Sequence, residues 1–327
     1  MEREIRWGII GPGNIARKFT SDLQMVDNAK IAAVASRNLE RAKSFASDYH
    51  IENIFDSYDH LFTSDTVDVV YIATPHNFHK DLAIRAMKNG KHVLCEKPLG
   101  INKKEVEEII QASRENNVFM MEGLWSRFNP SIHKIKELVD SKEIGEVTYI
   151  NADFAFYGLD RSEDSRVLNL DLASGSLLDI GIYPIFLAYL FLGMPDEIHA
   201  SSNFHSNGTE IQTSMIFQYP NAQAILYSGL TSDSKMEAKI SGTKGEVVIP
   251  TRWHEADGYS LIKQKEIQKF ELPRKGNGFV HEILEVHKCL VSNKLKSNLW
   301  SHKNSLELVE LMDIIRNKTG IKFPFEV

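Results

Sequence analysis

Cysteine is nearly absent. The 327 residues hold two, Cys95 and Cys289, too few for a disulfide framework, and a reducing, cytoplasmic setting is expected. Basic blocks are missing too. With a net charge of −6 the chain lacks the electrostatic footprint of a nucleic-acid binder, and no such partner is expected. No apolar stretch approaches the roughly 20 residues that span a bilayer. The charged start Met1-Glu2-Arg3-Glu4 leads straight into a strand-like segment, without the apolar region of a signal peptide. No membrane association is expected. Internal repeats and low-complexity tracts are also lacking. His76 and His79 stand three apart without a cysteine or acid at matching spacing, so no metal is expected. What remains is a chain that is 43% hydrophobic, able to build sizeable cores. Its length predicts two domains, divided as 1–123 and 124–327.

The first domain announces itself by alternation. Ile5–Ile10 reads as a strand, followed at once by Gly11-Pro12-Gly13-Asn14-Ile15-Ala16 and a helix to about Met25. This is the Gly-x-Gly-x-x-Gly/Ala dinucleotide fingerprint in strand–turn–helix context. Gly11 makes the turn, Gly13 admits a pyrophosphate, and Ala16 lets the helix pack on the strand. Asn14 and Ile15 begin the helix whose amides bind phosphate. A second strand, 30–35, ends in Ser36-Arg37. An NAD site places an acid there, whereas a hydroxyl and a guanidinium suit a 2′-phosphate, so NADP is expected, with NAD possible. A strand over 68–73 ends in Thr74-Pro75-His76-Asn77-Phe78-His79; Thr74, Pro75, Asn77 and His79 are candidates for holding the nicotinamide ribose. The short apolar run Val93-Leu94-Cys95 ends in Glu96-Lys97-Pro98. Bounded by Gly90 and Pro98, it reads as a buried parallel strand whose C-terminal end carries Glu96 and Lys97 to the ligand edge of the sheet. A sixth strand covers 118–121. The pattern predicts a doubly wound parallel sheet covered by helices.

After residue 121 the pattern changes. Strands are expected at 147–156, 197–204, 212–219, 222–230, 236–242 and 246–249, with few helices between them, which implies an open, largely antiparallel sheet. One helical run, 176–192, interrupts it. Asp179 and Tyr183 stand four apart there, on one face. Helices at 281–291 and 303–318 close the chain. A six-stranded sheet covered on one side leaves its other face open, and a homodimer or dimer of dimers through that sheet is expected.

Together these stretches resemble a known group. Gly11–Ala16, Glu96-Lys97-Pro98 and Gly175-Ser176-Leu177-Leu178-Asp179-Ile180-Gly181-Ile182-Tyr183 are similar to motifs of the glucose–fructose oxidoreductase / inositol dehydrogenase / rhizopine-catabolism (Gfo/Idh/MocA) family. With Trp125-Ser126-Arg127-Phe128 they most resemble its dimeric dihydrodiol dehydrogenase and D-xylose 1-dehydrogenase branch. The resemblance covers essentially the whole chain. It implies a dinucleotide domain, then an α/β domain with an open, largely antiparallel sheet, with the active site between them. It also implies that Lys97 contacts the reacting hydroxyl and the cofactor ribose. Tyr183 stands where many relatives have histidine, which changes the assignment of the base.

The chemistry that follows is hydride transfer from a carbon bearing a hydroxyl, with the proton passing to a base. An unperturbed tyrosine titrates near about 10, and a neighbouring ammonium favours the tyrosinate. Either Tyr183 is the proton acceptor beside Lys97, or Lys97 is the base and Tyr183 a positioning donor; Asp179 orients the substrate or Lys97. Trp125, Phe154, Trp253 and Phe279 are candidate pocket walls, since aromatic faces suit the CH faces of sugars or a ring diol. Arg127 reads equally as a pocket residue and as a salt-bridge cation. The expected function is an NADP-dependent dehydrogenase of a carbohydrate or diol. The alternatives are a cofactor-retaining, redox-neutral enzyme and a non-catalytic NAD(P) sensor.

Overall fold

The computed structural model describes residues 3–326. Two compact units emerge. One runs to Phe128 and takes in Lys275–Leu306; the other is Asn129–Arg274 with the chain from Glu307 onward. A division at 123/124 does not contain this return of the chain to the first unit. Its cause is Asp22, a fully buried acid. One carboxylate oxygen accepts from the backbone and side-chain nitrogens of Asn277, both at 2.8 Å, and the other from the Phe279 amide at 2.8 Å. No local periodicity announces a contact some 255 residues away in sequence.

In the first unit β1 (Ile5–Ile10), α1 (Asn14–Leu23), β2 (Ala29–Ala35), α2 (Leu39–Tyr49), β3 (Asn53–Phe55), α3 (Tyr58–Thr63), β4 (Val69–Ile72), α4 (His79–Lys88), β5 (His92–Glu96), α5 (Lys103–Glu115) and β6 (Met120–Gly123) alternate as expected. The strands form one parallel sheet in the order β3-β2-β1-β4-β5-β6. The order reverses between β1 and β4, and in open α/β sheets ligands bind at such a switch point, beyond the strands' C-terminal ends. β4 is buried at all four positions and β5 at all but its first, as strands covered on both faces must be. Asn38 caps α2 and Asn102 caps α5, each accepting a backbone N–H three residues on.

The second unit carries α6 (Pro130–Asp140), β7 (Val147–Ala155), α7 (Ile182–Leu192), β8 (Glu197–Phe204), β9 (Glu210–Tyr219), β10 (Ala222–Gly229), β11 (Ala238–Gly242), β12 (Gly245–Ile249), β13 (Gly258–Lys263) and β14 (Glu266–Glu271). Two helices complete the chain, α8 (Val280–Val291) and α9 (His302–Thr319). The sheet has eight strands in the order β14-β13-β12-β11-β7-β10-β9-β8. It is largely antiparallel, with β10 parallel to β7. β13 and β14 exceed the six strands expected from sequence. β14 is an edge strand of alternating charge, exposed at nearly every position, so it lacks the buried/exposed alternation that marks a strand with a covered face. On the open face Ile216 and Ile225 are cross-strand partners, and both are exposed.

The helical run expected at 176–192 is found as Leu177–Gly181 continuing into α7. The stretch Leu170–Leu192, 23 residues, is long and apolar enough to cross a bilayer by length and composition alone, but 83% of its most apolar window is buried. It is the core helix of its unit, and every α7 position from Ile182 to Tyr189 is buried.

Candidate active site

The first unit supplies a cofactor cradle. Gly11 sits at φ +75°, and a Cβ there would lie 2.6 Å from the Ala73 carbonyl oxygen; only glycine closes this turn against β4. At Gly13 a Cβ would meet nothing nearer than 3.9 Å, leaving open space over the backbone. α1 starts without a side-chain cap and without an acid in its first turn, so its amides point outward unopposed. Ala16 is fully buried against the sheet, while Ile15 is exposed beside the turn. At the end of β4 the Thr74 hydroxyl is buried and has no hydrogen-bond partner among the described residues. An uncapped helix start, an open glycine face and an orphaned hydroxyl at the switch point fit a dinucleotide's pyrophosphate and ribose.

The end of β2 offers no acid. The Ser36 hydroxyl accepts the Asn38 amide at 3.1 Å. Arg37 is exposed, its guanidinium 5.0 Å from the centre of the Phe78 ring. Burial raises the Tyr58 phenol pKa, against the Arg37 charge close by.

The loop that carries Lys97 is braced from three sides. Glu96 accepts the Tyr71 hydroxyl at 2.5 Å. Glu122, at the end of β6, accepts the Leu99 amide at 2.9 Å and the Trp300 indole N–H at 3.0 Å. His79 is fully buried, with Nδ1 2.8 Å from the Pro98 carbonyl and Nε2 2.8 Å from the Thr74 carbonyl. His79 therefore lies between the β4 and β5 loops, its neutral ring donating its one N–H to one of these two carbonyls, where the sequence reading had it holding the ribose directly. Pro75 and Asn77 lie in the half-buried turn between Thr74 and His79. Burial lowers the His79 pKa and raises that of Glu122; in each case the charge of Lys97 adds a smaller contribution that lowers it.

The returning segment packs under this loop. Trp125 stacks on Phe279 with ring centroids 5.0 Å apart. Phe279 is itself almost completely buried, a core residue here rather than a pocket wall. Arg127 is buried and donates Nε to the Leu299 carbonyl at 2.9 Å, which anchors the segment. Trp7 donates its indole N–H to His287 Nε2 at 3.1 Å. Burial pushes the His287 pKa down to about 4, so the neutral ring can accept that bond.

Glu282 on α8 is fully buried, and neither carboxyl oxygen has a partner among the described residues. Burial, then the charges of Glu96 and Asp22, raises its pKa well above the usual carboxylate range. The folded state therefore holds a proton that the unfolded chain releases once the pH passes about 4.3. Stability from this group is present at low pH and declines as pH rises toward the folded pKa. Glu282→Gln removes that linkage. Thermal melts are expected to show a higher Tm than wild type at pH 8 and no difference near pH 4; equal Tm values at both would mean that Glu282 does not titrate on folding.

The second unit carries the Gly175–Tyr183 motif. Leu177–Gly181 forms a π-helical turn that continues into α7, a geometry that recurs at functional sites. Asp179 lies in the turn, nearly buried, with a carboxylate oxygen 2.6 Å from an Arg166 guanidinium nitrogen. Tyr183 follows in the first turn of α7, 5% exposed. Its ring neighbours are Phe154 at 5.5 Å and His254 at 5.3 Å, and His254 stacks on Phe154 at 4.2 Å. Trp253 is fully buried, its indole N–H bonded to the Asp153 carbonyl at 2.9 Å. The structure thus places Trp253 in the core and brings its neighbour His254 to Tyr183. Sequence cannot choose between adjacent residues of a short turn, because the turn's orientation decides which one faces the helix.

Residues 5–124 match the family profile GFO_IDH_MocA, described as an oxidoreductase family with an NAD-binding Rossmann fold, and residues 132–248 match the GFO/IDH/MocA C-terminal domain. The chain belongs to the Gfo/Idh/MocA oxidoreductase family. Among its relatives, this family member is 34% identical to trans-1,2-dihydrobenzene-1,2-diol dehydrogenase of Xenopus tropicalis, over 98% of this chain and 99% of that one. It is 32% identical to scyllo-inositol 2-dehydrogenase (NADP(+)) IolU of Bacillus subtilis (strain 168), over 98% of each. The solved structure of KijD10, a 3-ketoreductase from Actinomadura kijaniata with NADP and TDP-benzene, superposes with a TM-score of 0.88 at 26% identity, covering 97% of this chain and 98% of that one. This Gfo/Idh/MocA protein is an NAD(P)-dependent oxidoreductase, and residues 5–124 are its NAD-binding Rossmann fold.

Proposed function

We propose that the enzyme is an NADP-dependent dehydrogenase that oxidises a hydroxyl-bearing carbon of a sugar or cyclic diol in a reducing, cytoplasmic setting. The braced Lys97 loop beside the glycine turn carries this reading. The dihydrodiol and inositol dehydrogenases among its relatives support the substrate class, and the NADP named for IolU and KijD10 supports the cofactor.

When bound, the nicotinamide supplies the hydride acceptor. This chain's residues do the rest. The α1 amides and Gly13 hold the pyrophosphate, and Ser36 with Arg37 holds the ribose 2′-phosphate. The proton released from the reacting hydroxyl goes to a base, for which Tyr183 and Lys97 are the two candidates. Asp179, held by Arg166, accepts a neighbouring substrate hydroxyl. Phe154 and His254 wall the ring face, with Trp125 as a further wall. Self-association is assigned to the open sheet face around Ile216 and Ile225.

The test is absorbance at 340 nm with NADP⁺ or NAD⁺ across aldoses, inositols and trans-dihydrodiols, run alongside Arg37→Ala. A lost charge-assisted pair is worth about 1.5–3 kcal/mol. The KM for NADP⁺ is therefore expected to rise about 10- to 100-fold in the variant, with that for NAD⁺ unchanged. Faster wild-type turnover with NAD⁺ would overturn the cofactor assignment. A flat trace across the panel with cofactor bound would favour a cofactor-retaining enzyme or a sensor.

A further inference from the structure

Glu210 is a buried acid that neither motif contains. It opens β9 in the second unit and is only 2% exposed. One carboxylate oxygen accepts the hydroxyls of Ser176 and Thr213, each at 2.6 Å; the other accepts the Leu177 amide at 2.8 Å. The Ser176 hydroxyl also lies 2.9 Å from that of Ser228 on β10, and Ser202 bonds Thr213 at 2.7 Å. Ser176, Thr213 and Ser228 are all fully buried.

Two features tie this network to the helix that bears Asp179 and Tyr183. The carboxylate sits at the N-terminus of the continuous run Leu177–Leu192, where the first amides have no partner within the helix. A negative charge there is favoured by the helix dipole. Second, the glycines of the motif are explained by this contact. Gly175 has φ +120°, and a Cβ would stand 3.0 Å from both the carbonyl and a carboxylate oxygen of Glu210; at Gly181 a Cβ would stand 2.9 Å from the Ser228 hydroxyl. The π-turn is thus pressed onto β9 and β10 with no room for a side chain on either side of Asp179.

We infer that Glu210 is a positioning residue for the reaction: it fixes the start and rotation of the π-turn, and so the aim of Asp179 and Tyr183 at the substrate. This rests on the reading above, in which those two side chains serve the oxidation. The carboxylate accepts from all three groups at once; an amide could keep its oxygen on the Leu177 N–H only by turning the Ser176 and Thr213 hydroxyls from donors into acceptors, which reorders the network.

The test compares Glu210→Gln, Glu210→Asp and Ser176→Ala with wild type and Tyr183→Phe, using the full chain. Readouts are kcat and substrate KM, NADPH binding by fluorescence, Tm, and the pH profile of kcat/KM. Glu210→Gln is expected to lower kcat about 10- to 100-fold and raise substrate KM several-fold, with NADPH affinity unchanged and the pH profile displaced. Glu210→Asp is expected to recover part of the loss. Ser176→Ala, which leaves the carboxylate and the Leu177 bond in place, is expected to fold even if Glu210→Gln does not, and to show the same kcat and KM changes at smaller size. If Tyr183→Phe is impaired while the Glu210 and Ser176 variants keep wild-type kcat, KM and pH profile, or lose only Tm, the positioning role is overturned and the function stands. If Tyr183→Phe is itself unimpaired, the reading of the site fails first.

Discussion

Lys97→Ala is expected to lower kcat about 1,000-fold, within the 10²–10⁴ range that a positioned proton-transfer group contributes. The geometry argues for an effect on chemistry rather than on folding. The loop is held by Tyr71 on Glu96, by Glu122 on the Leu99 amide and by His79 on the Pro98 carbonyl. None of these bonds involves the Lys97 ammonium, so removing it leaves the brace intact and Tm should hold. NADPH affinity, followed by its fluorescence, should change no more than a few-fold, because in the proposed binding mode the pyrophosphate meets the α1 amides and Gly13 rather than Lys97. Lys97→Arg is not expected to rescue activity, since a planar guanidinium replaces a compact ammonium that can exchange its proton. Retention of most of the activity in Lys97→Ala would remove Lys97 from the chemistry.

Tyr183→Phe has the second largest expected effect, a loss of about 100-fold in kcat with little change in Tm. The phenylalanine keeps the ring contacts to Phe154 and His254, so the variant isolates the hydroxyl. If Lys97 and Tyr183 serve one proton transfer, the double variant should lose little more than Lys97→Ala alone, because groups that act as a unit are strongly non-additive. The pH profile of kcat/KM should also lose a limb in Tyr183→Phe. A fully multiplicative double variant would assign the two residues to separate steps. Wild-type kinetics in Tyr183→Phe would leave the second motif a helix face and no more.

Much of this site was readable because its parts are local. A glycine turn between a strand and a helix, a strand ending in Glu96-Lys97, and Asp179 four residues before Tyr183 are each written within a short window, and each obeys a backbone rule that sequence alone expresses. Gly11 is a glycine because of its φ and the Ala73 carbonyl, and Ala16 is small because a helix must approach a strand. The parallel sheet followes from alternation, and the mainly antiparallel one from its absence. β14 escaped because, as an exposed edge strand, it carries no buried stripe.

What the tertiary structure decided are contacts between distant residues. Asp22 draws Lys275–Leu306 into the first unit through three hydrogen bonds. Glu122 and His79, neither of them adjacent to Lys97 in sequence, fix its loop. His254 rather than Trp253 meets Tyr183, and Glu210 sets the turn beneath Asp179. The physical reason is common to all four. Sequence patterns report which backbone conformations and which burial a segment tolerates, since those depend on neighbours within a few residues. A buried polar group must instead find its partner wherever the packed chain brings one, and that partner is specified only when the whole core closes.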